Sequence, residues 1–129
     1  MKKIVIAPDS FKGTLSSLEV CNLVKKSLLE ERDDLEIIEL PIADGGEGMT
    51  ESFMCAFPDS EKIELKANSP LGREIDVYYA IISGDTAVIE MAMASGITLE
   101  KENDAMRAST YGTGQIIKDA LDKGVRKFV

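Results

Sequence analysis

The first 57 residues alternate between short, largely apolar runs and helical patterns, and this alternation constrains the fold more than any other feature of the chain. The runs KIVIA (3–7) and LEIIEL (35–40) each stop at a proline, as expected for buried parallel strands. Between them, Ser16 and Glu19 form a capping-box pattern that predicts a helix over residues 17–31. Strand–helix–strand–helix order is typical of a parallel α/β sheet.

Residues after Pro58 follow a different pattern, in which three strand-like segments are separated by turn sequences. The segments are 61–66, 74–82 and 86–91. The turns NSPLG and SGD between them favour antiparallel hairpins. After the segment EMAMASG we expect a helix that begins at Gly112-Thr113-Gly114 and ends at Gly124. The last residues, VRKFV, begin another strand.

These patterns predict an α/β fold in two parts. Residues 1–60 are expected to be the first part of a parallel α/β domain, with a short second helix that Thr50 caps and that reaches about Phe57. Residues 61–129 are expected to start a second, mixed α/β domain that is incomplete at its C-terminus. Because no turn signal follows the final strand, we expect the sequence to be the N-terminal piece of a longer protein, with exposed apolar surface and an unpaired sheet edge.

Composition excludes several classes of function. The formal net charge of −8 disfavours binding to nucleic acid or anionic membranes, since no basic cluster offsets it. No apolar run approaches the ~20 residues of a membrane span, and the N-terminus does not follow a signal-peptide pattern, so we expect a cytoplasmic protein. Cys21 and Cys55 lie in apolar helical patterns and are expected to be reduced core residues. Because histidine is absent, acid–base chemistry would fall to carboxylates, lysine or a metal-held water.

A polar loop follows the first predicted strand at its carboxyl end, where open parallel sheets bind ligands. The sequence PDSFKGT supplies Asp9, Ser10 and Lys12 within four residues. The lysine could meet a phosphate or a substrate carboxylate, and the acid could orient a hydroxyl group. The alternative interpretation is a turn rich in Ser and Asp with an exposed lysine.

A second loop, ADGGEG, follows the second strand in the same way. Asp44 and Glu47 are hard oxygen donors suited to magnesium, and Gly45 and Gly46 allow the backbone to approach an anion. The alternative is a plain left-handed turn followed by a glutamate that favours the helix dipole. Neither loop is a Walker A sequence, and no GxGxxG motif is present.

A third group of residues combines Arg107 with the hydroxyl- and glycine-rich sequence STYGTG (109–114). A planar guanidinium before a helix start suits a carboxylate or a phosphate, although an ordinary helix cap after a solvated arginine gives the same pattern. Glu90 at the end of TAVIE is a further candidate, either half-buried with a partner or a strand-end carboxylate in water.

Five sequence blocks, taken together and in this order, resemble the type I glycerate kinase family, which phosphorylates D-glycerate with ATP. The blocks are PDSFKGT (8–14), ADGGEG (43–48), PLGR (70–73), EMAMASG (90–96) and STYGTG (109–114). They extend over nearly the whole chain. The resemblance implies a two-domain α/β kinase, with one domain Rossmann-like or flavodoxin-like and an active site in the cleft between the domains. Members of the family are considerably longer than this chain.

The resemblance also implies ATP and Mg²⁺ as cofactors, D-glycerate as substrate, and 2-phospho-D-glycerate as the favoured product. The implied catalytic residues are Asp9, Lys12 and Asp44, with Asp9 or Asp44 nearest the reacting hydroxyl or the magnesium. The implied substrate-binding residues are Ser10, Glu47, Glu90, Ser95, Arg107 and Thr113; nucleotide-binding glycines are Gly45, Gly46, Gly112 and Gly114; and metal ligands are Asp44 and Glu47. The competing hypothesis is a non-catalytic, truncated module that binds a small acid or has a regulatory role.

Overall fold

The computed structural model describes residues 2–11, 13–102 and 104–129. The chain divides into two compact units, Met1–Ala56 and Phe57–Val129. The described residues form helices together with a two-stranded and a four-stranded sheet, which confirms the α/β class. None of the helices in these ranges is long and apolar enough to cross a lipid bilayer.

The first unit has the predicted strand–helix–strand–helix order. Its elements are β1 (Lys2–Ile6), α1 (Ser17–Glu31), β2 (Leu35–Glu39) and α2 (Met49–Ala56). The two strands pair in parallel along their full length. Helix α1 begins as predicted, because the Ser16 hydroxyl accepts the Glu19 N–H at 3.2 Å and the Glu19 carboxylate accepts the Ser16 N–H at 2.7 Å. The pKa of Glu19 is lowered because the Ser16 backbone N–H, and after it the Ser16 side chain, favour the charged carboxylate.

Burial in the first unit differs from the sequence-based expectation on three points. The strands are not buried on both faces, because Val5 and Ile38 lie opposite each other and are 55% and 40% exposed. Cys21 is fully buried as expected, but the core assignment of Cys55 is wrong, because this residue is exposed near the end of α2. The predicted capping role of Thr50 is also wrong, because α2 begins at Met49 and Thr50 is a buried residue within the helix.

The second unit contains the predicted hairpins. Its elements are β3 (Glu61–Asn68), β4 (Glu74–Ile82), β5 (Thr86–Val88), α3 (Ala92–Ser95), a 3₁₀ turn (Ile97–Leu99), α4 (Tyr111–Asp122) and β6 (Lys127–Phe128). Strands β3, β4 and β5 pair antiparallel in sequence order, and β6 adds to β5 in parallel at the edge of the sheet. Strand β5 is shorter than the predicted 86–91, because the chain turns into α3 already within EMAMASG.

Helix α4 packs on the sheet and forms the core of the second unit with it. Tyr79 and Ile116 are fully buried in this core. The Tyr79 hydroxyl donates to Asp119 at 2.9 Å. The pKa of the tyrosine is raised mainly by burial and secondly by this hydrogen bond. The helix ends at Gly124 as predicted: this glycine has φ +91°, and the next residue, Val125, donates its N–H to Ala120 at 3.0 Å. This is a Schellman cap, in which a left-handed glycine satisfies the last helical carbonyls.

Candidate active site

The two polar loops of the first unit lie side by side at the carboxyl edge of its sheet. Parallel pairing of β1 with β2 places both strand ends at the same edge. Backbone hydrogen bonds continue the ladder into the loops, from the Leu40 N–H to the Ile6 carbonyl (2.8 Å) and from the Ile42 N–H to the Pro8 carbonyl (3.1 Å). The strand pairing therefore brings Asp9 and Ser10 to the same edge of the sheet as the ADGGEG loop.

The loop after β1 is shaped by short-range hydrogen bonds. The Asp9 carboxylate accepts the Ser10 N–H at 2.7 Å; Asp9 is exposed and Ser10 is half-buried. Phe11 and Leu15 exchange backbone hydrogen bonds of 2.8 and 3.1 Å, which closes the loop just before α1 begins. The predicted catalytic residue Lys12 lies outside the described residues, so its assignment stays a prediction.

The ADGGEG loop is held by Asp44 and requires its glycines. The Asp44 Oδ1 atom accepts the Gly46 N–H at 3.0 Å, which is the geometry of an Asx turn. Gly45 and Gly48 have φ values of +90° and +85°, a region that other residues rarely adopt. A side chain on Gly48 would come within 4.0 Å of the buried Ser17 hydroxyl, so this loop lies beside the N-terminus of α1. Asp44 thus helps to shape the loop, and its second carboxylate oxygen is an additional acceptor.

The acidic pair in this loop fits only part of a magnesium site. Asp44 and Glu47 are both exposed. Within the described ranges, no group of three or more His, Cys, Asp or Glu residues is arranged to hold a metal ion. Protein magnesium sites commonly use one or two carboxylates and leave the remaining positions to phosphates and water. The pair therefore matches a magnesium–nucleotide complex better than an all-protein cage.

In the second unit, two of the predicted substrate-binding residues contact each other. The hydroxyl groups of Ser95, at the end of α3, and Thr113, in the first turn of α4, are 2.7 Å apart. Gly114 lies beside them, and a side chain there would meet no atom within 4 Å. Gly112 is buried, because its backbone packs against the Asn68 carbonyl: an added Cβ would lie 1.9 Å from that oxygen. The geometry thus gives Gly112 a packing role and leaves Gly114 open to a ligand.

The other two candidates of the second unit differ in exposure. Arg107 is exposed, and its N–H closes a turn on the Asp104 carbonyl at 3.1 Å. Glu90 is 4% exposed and lies two residues beyond the end of β5. The alternative of a carboxylate in water is therefore wrong, and the residue is more deeply buried than the half-buried position expected of a partnered acid. Its carbonyl accepts the Met93 N–H at 3.1 Å, at the start of α3.

A cavity of about 220 Å³ lies next to Ser95 in the second unit. It is lined by Pro70 and Leu71 on the β3–β4 turn and by residues that follow α3 in the chain, among them Ser95, Glu100 and Ala108. The β3–β4 turn also contains Ser69 and Arg73, which contact Glu100. No role for these three residues follows from the sequence, although PLGR is one of the matched blocks. Long-range contacts of this kind carry no local sequence signal.

The candidate residues are therefore divided between the two units. The first unit contains Asp9, Ser10, Asp44, Gly45, Gly46 and Glu47, and the second contains Glu90, Ser95, Arg107, Gly112, Thr113 and Gly114. Their convergence on one cleft stays a prediction.

Acidic and glycine-rich loops at the carboxyl ends of parallel strands are typical of α/β proteins that bind phosphorylated or carboxylate ligands. Comparison with known proteins narrows this class. The model of the glycerate kinase family matches residues 4–129, and the chain belongs to this family.

Individual relatives agree with this assignment. The chain is 44% identical to a Haemophilus influenzae protein named glycerate kinase and 39% identical to an Escherichia coli protein named glycerate 2-kinase, in each case over 98% of the chain. It also resembles the crystal structure of a Salmonella typhimurium LT2 protein provisionally named glycerate kinase 2, with a TM-score of 0.76, 37% identity and 99% of the chain covered. The chain spans about a third of the length of these relatives: 34% of the first two and 35% of the third.

Proposed function

We propose that the protein carrying this chain transfers the γ-phosphoryl group of ATP to D-glycerate and that the product is 2-phospho-D-glycerate. Membership of the glycerate kinase family supports the reaction class. The name of the Escherichia coli relative, glycerate 2-kinase, supports the choice of hydroxyl group. The observation that carries the proposal is the parallel pairing of β1 with β2, because it places two of the matched blocks at one sheet edge.

In phosphoryl transfer the protein mainly positions the reactants and neutralises charge, so few residues do covalent chemistry. We assign Asp9 and Asp44 to the reacting hydroxyl group, one as the acceptor of its proton and the other as an orienting acceptor. Both carboxylates already accept neighbouring backbone N–H groups, which fixes their direction. Lys12 and Arg107 together neutralise the two anionic groups, which are the glycerate carboxylate and the transferred phosphoryl group.

We further propose that Asp44 and Glu47 would hold a magnesium ion bound with the nucleotide, whose remaining ligands would be phosphates and water. When bound, the ion neutralises charge on the phosphates. In the Ser95–Thr113 pair one hydroxyl donates to the other, and the second hydroxyl donates its proton to the substrate carboxylate. Gly114 has no side chain to occupy the space beside this pair, so the phosphates can approach the start of α4 there. In this proposal residues 1–60 are the first part of a Rossmann-like domain of a cytoplasmic enzyme, and residues 61–129 begin its second domain.

A chimera tests the proposal. Residues 1–129 replace the corresponding third of the Haemophilus influenzae relative, and ADP formation from ATP is measured with and without D-glycerate. ³¹P NMR of the product distinguishes 2-phosphoglycerate from 3-phosphoglycerate. We expect glycerate-dependent turnover that yields the 2-phosphate and that Lys12→Ala abolishes.

The unaltered relative serves as the positive control, and circular dichroism confirms that the chimera is folded. A folded chimera that forms no ADP in response to glycerate, beside an active control, would overturn the proposed reaction. Formation of the 3-phosphate would overturn only the assignment of the hydroxyl group.

A further inference from the structure

The turn between β3 and β4, residues Asn68–Arg73, contains the matched block PLGR, to which the proposed mechanism assigns no role. The turn is internally closed: the Ser69 N–H donates to the Arg73 carbonyl at 2.7 Å, and the Gly72 N–H donates to the Ser69 carbonyl at 3.0 Å. Gly72 has φ +90°, which favours glycine at this position. The turn is therefore a defined structure that can hold other segments in place.

Ser69 links this turn to the segment that follows α3. Its side chain is buried, with the residue only 2% exposed. The Ser69 hydroxyl donates to the Glu100 carboxylate and accepts the Arg73 N–H at 3.1 Å. A buried hydroxyl with both a donor and an acceptor function satisfied fixes the positions of the groups on either side.

Arg73 contacts the same segment with its guanidinium group. It donates to the Leu99 carbonyl at 2.9 Å, and it lies 3.8 Å from the Glu100 carboxylate. At its other end, the segment is tied to the same turn, because the Ser109 N–H donates to the Pro70 carbonyl at 3.0 Å. The turn thus holds the chain on both sides of the stretch that contains Arg107.

The turn also contacts the first part of α4. The Asn68 N–H donates to the Gln115 side chain at 2.8 Å, and the Asn68 carbonyl packs directly on Gly112. Gly112 is adjacent to Thr113, whose hydroxyl contacts Ser95. The residues proposed to bind glycerate in this unit are therefore linked to a single turn: Thr113 through Gly112, Ser95 through Thr113, and Arg107 through the nearby Ser109.

We propose that Ser69 and Arg73, acting through Glu100, are positioning residues for glycerate binding: they set the location of Arg107 and of the Ser95–Thr113 pair. Neither residue needs to touch the substrate. This inference rests on the proposed function, because the positioning role is measured by its effect on glycerate binding. One guanidinium nitrogen of Arg73, Nη2, donates to the Leu99 carbonyl and lies near the Glu100 carboxylate, so lysine at this position would keep the charge and lose the planar geometry that directs this donor.

Kinetic constants of the chimera separate positioning from general destabilisation. Ser69→Ala and Arg73→Lys are expected to raise the KM for D-glycerate about tenfold, the loss that follows from one missing hydrogen bond to a charged group. Two other constants, kcat and the KM for ATP, are expected to stay within about twofold of those of the parent chimera. Arg126→Lys is the matched control, because Arg126 also donates to backbone carbonyls of this unit but lies outside the site. It is expected to leave both KM values unchanged.

A double variant tests the route through Glu100. Because Ser69 and Glu100 share one hydrogen bond, Ser69→Ala combined with Glu100→Gln should raise the KM for glycerate no further than the more harmful single change. If the effects of the two single changes multiply instead, Ser69 does not act through Glu100.

Hydrogen exchange of the 129-residue chain supplies a readout that does not depend on activity. Ser69→Ala should accelerate exchange at the Ser109 amide, which is bonded to Pro70, and leave the Tyr79 amide in the sheet unchanged. If Ser69→Ala does not fold, Arg73→Lys carries both measurements, because its side chain is 59% exposed. An unchanged KM for glycerate in an active chimera, or unchanged Ser109 exchange, overturns the positioning role. An inactive parent chimera with accelerated Ser109 exchange overturns the proposed function instead.

Discussion

Replacing Gly112 with alanine is predicted to destabilise the second unit strongly. Gly112 is the second residue of α4, and its backbone faces the end of β3. An ideal Cβ at this position would lie 1.9 Å from the Asn68 carbonyl oxygen and 3.1 Å from the Ala94 side chain. Ordinary contact begins at 3.4 Å, so the helix and the strand would have to separate by more than 1 Å to accept one methyl group.

The expected magnitude follows from two opposing effects. Overpacking a close-packed site costs up to ~3 kcal/mol, and more where backbone rather than a side chain must move. Alanine is favoured over glycine in a helix by ~1 kcal/mol, which offsets part of this cost. The net loss in the free energy of unfolding is about 2 kcal/mol, equivalent to a fall in Tm of roughly 8–16 °C for a unit of this size.

Gly114→Ala is the matched control, because Gly114 lies in the same helix and a Cβ there would meet no atom within 4 Å. It is expected to be neutral or to stabilise the protein by up to ~1 kcal/mol. Thermal and urea unfolding, followed by far-UV circular dichroism, measure both variants. Equal stability of the two would refute the packing role of Gly112 and favour its earlier assignment to nucleotide binding alone.

Three further predictions concern local features of the fold. Glu19→Gln should lower the free energy of unfolding at pH 7, and the difference between variant and parent should shrink as pH falls below 4.5. The reason is that the pKa of Glu19 is lowered in the folded state, so its carboxylate stabilises the fold above its unfolded pKa and loses this effect as it is protonated. Urea unfolding at several pH values checks this, and a constant difference would contradict it. Gly124→Ala should cost ~1–2 kcal/mol because its φ of +91° requires a left-handed residue, and calorimetry should show a smaller loss for Gly124→Asn. In native protein a thiol reagent should label the exposed Cys55 rapidly and the buried Cys21 only on unfolding. Burial shields the Cys21 thiol and also raises its pKa, which lowers its reactivity. Equal labelling rates would contradict the burial of Cys21.

Features with local causes could be predicted from the sequence. The capping box at Ser16 and Glu19 defines the start of α1, and the left-handed glycine at Gly124 defines the end of α4. Each depends on residues within a few positions of one another. The β3–β4 and β4–β5 hairpins follow from turn sequences in the same way.

Features that depend on distant residues could not be predicted. The close approach at Gly112 involves Asn68, and the hydrogen bond of the buried Ser69 hydroxyl is made to Glu100. Neither partner lies near in the sequence, so no periodicity or motif indicates the contact. The exposure of Cys55 has the same origin, because an apolar helical pattern does not show which of its residues face a neighbouring element. The resemblance of sequence blocks identified the family without indicating these contacts.

The catalytic role of the loops that follow β1 and β2 is tested most directly by isosteric removal of charge. Asp9→Asn and Asp44→Asn keep a side-chain oxygen that can accept the neighbouring N–H, so the loops should keep their shape. Asp59→Asn, at an exposed turn of the second unit, is the control. We predict that at least one of the two loop variants lowers the kcat of the chimera by about 10²-fold or more at unchanged Tm, the usual effect of removing a catalytic acid or base. Turnover within a few-fold of the control in both variants would contradict the assignment of the active site to this edge of the sheet.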